Sequence, residues 1–149
     1  MRKLLLIGVL ATVSLGVMLG IATATPPGGD FAAGNGSDGI GHFNFRAQQT
    51  TTNLASGRMS YRSPTEVIRA NVICLNVQGD LGFILGEIDQ SRSSGVPGGA
   101  ERVAFEVRDA PGADKFSIFF ASNVLGCALP PFSGEPVVRG HITVLDRTP

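Results

Sequence analysis

From Phe43 onward, apolar and polar side chains alternate with a period of two. Phe43, Phe45 and Ala47 interleave with Asn44 and Arg46; after a polar stretch, Met59 and Tyr61 interleave with Arg58, Ser60 and Arg62 until Ser63-Pro64 interrupts the run. Successive side chains of an extended chain point to opposite sides, so this spacing predicts strands buried on one face. The longest run, Val67 to Val77, is less regular: Arg69 and Asn71 mark a polar face in its first half, whereas its second half is apolar on both parities. Cover on both faces, or a bulge near Val72 that swaps them, accounts for the change. Gln78-Gly79-Asp80 then reads as a tight hairpin turn leading into Leu81, Phe83 and Leu85.

The glycine- and serine-rich stretch from Gln90 to Glu101 predicts a long internal loop. Beyond it Val103, Phe105 and Val107 alternate with charged residues, Ala110-Pro111-Gly112-Ala113 turns the chain, and Phe116, Ile118 and Phe120 bring it back as a second hairpin. A turn-rich segment, Ser122 to Pro136, precedes a closing strand built on Val138, Gly140, Ile142 and Val144. Downstream of the N-terminal segment no stretch carries the i, i+3, i+4 spacing of an amphipathic helix. The pattern predicts an all-β antiparallel meander of about seven to eight strands, as a small β-barrel or, alternatively, a two-sheet sandwich. Barrel closure is favoured because it removes sheet edges.

The N-terminus follows a different pattern. Arg2 and Lys3 precede an uncharged apolar run from Leu4 to Ile21, and Ala22-Thr23-Ala24 has the small-x-small spacing that a signal peptidase accepts. Residues 1–24 are therefore expected to be a signal peptide, with an uncleaved membrane anchor as the alternative. Residues 25–41 are mostly Gly, Pro, Ala, Ser, Asn and Asp around a single Phe31, a composition read as a flexible leader that buries too little to order itself. Residues 42–147 are expected to form one secreted β domain.

Composition narrows the functional classes. Without Arg2 and Lys3 the chain keeps ten basic residues against twelve acidic ones, and the nine arginines and Lys115 are spread along it without a basic run. This predicts no nucleic-acid partner and, after signal cleavage, no membrane partner. Cys74 and Cys127, 53 positions apart, are expected to form a disulfide in an oxidising compartment, two buried free thiols being the alternative. Tryptophan is absent and Tyr61 is the only tyrosine, which removes the rings that usually stack on sugars or anchor interfaces.

No nucleophile elbow, paired-histidine zinc motif or phosphate-cradling glycine loop occurs, so the sequence assigns no catalytic residue, cofactor or metal. Closure of a barrel would bring the strands of His42 and His141 together, and two imidazoles with a carboxylate suit metal binding or acid–base work; the plainer reading leaves both on strand surfaces. Asp109 and Asp114 flank a turn, and converging carboxylate oxygens suit calcium, but two carboxylates are too few, and they read as acceptors of backbone hydrogen bonds. Phe119, adjacent to Phe120, must leave the face shared by Phe116 and Ile118; burial beneath the 122–136 segment is preferred over an exposed patch with Val137 or Leu145.

The strings His42-Phe43-Asn44-Phe45, Val72-Ile73-Cys74-Leu75-Asn76-Val77-Gln78-Gly79-Asp80, Val107-Arg108-Asp109 and Asp114-Lys115-Phe116-Ser117 resemble a class of short exported bacterial β proteins of unknown function, over His42 to Leu145. The resemblance implies a β fold and export, and no activity. The sequence thus points to a non-catalytic β domain, secreted or associated with the cell envelope, that acts as a binding or structural module on an extracellular or envelope partner. A small-ligand-binding barrel, or a small hydrolase, isomerase or cyclase using the barrel interior with His42 or His141 as base, is the alternative.

Overall fold

A computed structural model describes residues 29–50, 54–121, 126–128 and 131–147. The proposed signal peptide lies outside the described residues. These residues form an all-β fold of nine strands and no helix: β1 (Phe31–Ser37), β2 (His42–Gln49), β3 (Ala55–Arg62), β4 (Val67–Gln78), β5 (Leu81–Ile88), β6 (Arg102–Arg108), β7 (Lys115–Ala121), β8 (Glu135–Pro136) and β9 (Arg139–Leu145). Every pairing is antiparallel, and the strands make one curled sheet in the order β8-β7-β6-β5-β4-β3-β2-β1-β9. A single sheet replaces the sandwich alternative.

The expected flexible leader is overturned in its second half, because Phe31–Ser37 is a strand paired on both sides, with β2 and with β9. Its small residues are what admit it. Ala32 is fully buried, and a Cβ placed on Gly34 or Gly36 would lie 2.8 Å from the ring of Phe45 or Phe43 respectively. Small side chains on β1 are the complement of large ones on β2, so burial comes from the neighbour's rings rather than from its own apolar content.

Inward-facing residues from all the long strands fill the concave side. Phe43 stacks on Phe116 at 4.2 Å between ring centroids, Phe105 meets Phe116 edge-on at 4.9 Å, and Phe45 meets Phe105 edge-on at 6.0 Å. Met59, Ile68, Ile84, Val103, Val107, Ile142 and Val144 complete this core. The predicted irregularity in β4 is a bulge between Val72 and Cys74. Beyond it the outer face is also covered: Cys74, Phe83, Leu85 and Ala104 form a second apolar cluster against which Phe119 packs. The Cys74–Cys127 disulfide, with 5.9 Å between Cα atoms, ties the 126–128 segment to this face, and Asn76 Nδ2 donates to the Cys127 carbonyl at 2.8 Å.

The sheet curls into a half-barrel without a ladder joining its two ends. Its open side is spanned by side chains. Asp114 accepts from the Ile142 amide at 2.7 Å and from the Ala110 amide at 3.0 Å, and Asp109 accepts from the Val144 amide at 3.0 Å. The β6–β7 turn thus supplies acceptors for outward amides of β9 that lack a strand partner on that side, which would otherwise be left unpaired at an edge.

Candidate functional site

The sites proposed for the barrel interior are not assembled there. His42 and His141 are both exposed on the convex side, and β1 runs between their strands: Ser37 pairs with His42, and Asn35 pairs with His141. Insertion of β1, which the sequence reading left outside the domain, is what separates them. Among the described residues no group of three or more His, Cys, Asp or Glu side chains could hold a metal ion. Asp109 and Asp114 are engaged with backbone amides of β9 and of their own turn, a wider role than turn chemistry alone. Phe119 is half-buried, packed against the cluster of Cys74, Phe83, Leu85 and Ala104.

The interior carries one polar anchor. The Tyr61 hydroxyl donates to Asp38 Oδ2 at 3.1 Å, while Asp38 Oδ1 accepts the amides of Ile40 and Gly41 and so holds the β1–β2 turn. Burial first, and then the Asp38 charge and hydrogen bond, push the Tyr61 phenol up to about 12, so it stays a neutral donor at any ordinary pH.

The outer face of β2, β3 and β4 is different in kind. Register places Arg46 opposite Arg58 and Arg58 opposite Asn71; one step along, Asn44 faces Ser60 and Ser60 faces Arg69; one step further, His42 faces Arg62. On the flank, Ser37 lies opposite both His42 and Arg139. The arginines at 46, 58, 62, 69 and 139 are all exposed, and among the described residues none has an ion-pair partner. Arg46 instead lies over the Phe31 ring, its guanidinium carbon 5.7 Å from the centroid. The sequence reading found the basic residues scattered; sheet register gathers most of the arginines on one side.

This surface is indented. A hollow of about 300 Å³ is lined by Asn44, Arg58, Ser60, Arg69, Asn71 and Arg92 among others. A second hollow, of about 240 Å³, shares Asn44, Ser60 and Arg69 with the first and extends it past Arg62 and His42. Asp89 also lines the first hollow, and Glu87 lies beside it. Asp89 accepts from the Ser91 hydroxyl at 2.6 Å and forms an ion pair with Arg92 Nε at 3.3 Å; the Ser91 bond chiefly holds its carboxyl below the ordinary range, and its charge neutralises Arg92. Glu87 stands on β5 between Asn71 and Arg102.

The aspartates elsewhere are engaged away from these arginines. Asp30, Asp38, Asp109, Asp114 and Asp146 all accept backbone amides at turns or at the open side of the sheet, and Asp80 pairs with Arg108. No family model, curated protein or solved structure matches the chain.

Proposed function

We propose that this chain is a non-catalytic, extracytoplasmic binding module that engages an anionic ligand through the convex face of β2–β4. The observation that carries the reading is the contrast between the two sides of one sheet: large side chains pack the concave side, while on the other a hollow is lined by the exposed, unpaired Arg58 and Arg69 beside a single carboxylate, Asp89, which Arg92 neutralises. Guanidinium groups in such a setting are strong, geometrically selective donors to carboxylate, sulfate or phosphate. Directly opposed like charges such as Arg46 and Arg58 cost stability in an antiparallel pair, and a bound anion offsets that cost. The disulfide supports an oxidising compartment, as does the apolar N-terminal segment.

Titration of the ¹⁵N-labelled protein with sodium sulfate at constant ionic strength tests this. Shifts confined to arginine Nε and backbone amides of β2–β4, and abolished in the double variant Arg58→Gln/Arg69→Gln, are expected. Shifts centred on interior residues, or none at this face, would show the reading to be wrong.

A further inference from the structure

The reading of β2–β4 as the binding surface can be taken to a ligand class. We propose that the occupant is a linear acidic glycan, a polysaccharide bearing sulfate or uronate groups, laid along the joined hollows. The inference rests on the binding-surface reading and adds shape and chemistry to it.

The charges form a band rather than a point. Arg58 and Arg62 are four residues apart on β3, which in an extended strand is about 13 Å. Arg69 sits on the neighbouring strand at the register step between them, and Arg46 lies across from Arg58. One inorganic anion spans a fraction of that length, so full use of the band requires a chain with repeated charges. The joined hollows follow the same line, from Arg58 and Arg92 at one end to Arg62 and His42 at the other.

Neutral hydrogen-bonding groups fill the spaces between the charges. Asn44, Ser60 and Asn71 alternate with the arginines across the three strands. Amides and hydroxyls at these points suit a polymer that carries hydroxyls between its acidic groups. A single-stranded nucleic acid asks for something else, namely aromatic platforms on which bases stack. Among the described residues the rings accessible on this face are Phe31, over which Arg46 lies, and His42, while Phe43 and Tyr61 at the second hollow are buried and offer no stacking platform. Neutral sugars also favour stacking rings, so the acidic groups have to carry recognition. That the fixed positive charges of the band are all arginines fits two-pronged bonding to sulfate or carboxylate better than diffuse attraction to an anionic surface.

Isothermal titration calorimetry of the disulfide-bonded protein tests the proposal, with size-defined dextran sulfate and polygalacturonate oligosaccharides, unsulfated dextran, and a dT oligonucleotide of equal charge. At least one acidic glycan should bind no less than tenfold more tightly than the oligonucleotide and than free sulfate, weaken as salt rises, and be undetectable as unsulfated dextran. Arg58→Gln/Arg69→Gln should lower its affinity at least tenfold with unchanged circular dichroism and a melting temperature no lower than that of the parent; Arg102→Gln, beyond Glu87, should leave the affinity unaltered. Oligonucleotide binding equal to the glycans' overturns the glycan assignment. Glycan binding indifferent to the double variant overturns the location. If sulfate shifts the β2–β4 resonances but neither acidic glycan improves on free sulfate, this inference fails while the binding-surface reading stands; if sulfate also leaves those resonances unmoved, both fail.

Discussion

Glu106 is a carboxyl buried at 2% exposure on the outer face of β6, between Phe83 and Ser117, and neither of its oxygens completes a hydrogen bond among the described residues. Burial pushes its pKa above the ordinary range, and the Ser133 amide only partly opposes this. A raised folded pKa means that the native state holds the proton more tightly than the unfolded chain. The contribution of Glu106 to stability is therefore greatest below the unfolded glutamate range, about 4.3, and is lost as pH rises through the higher folded value. Glu106→Leu is expected to stabilise the protein by on the order of 1–3 kcal/mol at pH 8 in urea denaturation, with the gain shrinking toward pH 4. Sequence could not reveal this residue as buried: Glu106 alternates with Phe105 and Val107 as a surface position should, and only the segment carrying Ser133 covers it. Gly34 and Gly36 misled in the opposite sense, since a glycine's fitness for a strand here is decided by Phe43 and Phe45 next door.

At the scale of elements, the hairpins were legible because each encodes its own register. Gln78 pairs with Leu81 around Gly79, which takes φ +60°, and Arg108 pairs with Lys115 around the 109–114 turn. The β4 bulge was legible for a similar reason, as a break in alternation at Val72. Pairings between elements distant in sequence were not legible: β1 lies between β2 and β9, and nothing local announces it. The binding face shares that fate, because Arg46, Arg58, Arg62 and Arg69 become neighbours only through the β2–β3 and β3–β4 registers. The open side of the sheet gives a further test of element-level reasoning. Asp114→Ala removes acceptors from the Ile142 and Ala110 amides and should cost about 2 kcal/mol. Hydrogen exchange at Ile142 should accelerate by more than at interior β5 amides; equal acceleration at both sites would show that Asp114 does not secure β9 locally.

At the scale of the molecule, two clusters on opposite faces of one sheet share the work of stability. The concave core joins all the long strands, whereas the outer cluster around Phe83 and Leu85 relies on a covalent tie across 53 residues. Loop-closure entropy for that span is about 4 kcal/mol, so Cys74→Ala/Cys127→Ala should lose roughly that much in denaturant titration. Charge is partitioned as well: carboxylates hold turns and the open flank, and guanidiniums face outward over β2–β4. The partition explains how a chain with balanced charge can present a strongly basic side. The placement of β1 has one more consequence. Phe31 pairs with Leu145, so β1 cannot complete its hydrogen bonding until β9 is in place. Contacts of such long sequence separation form late and slowly, so β1 is expected to gain its protection from hydrogen exchange only after the β4–β5 and β6–β7 hairpins have closed.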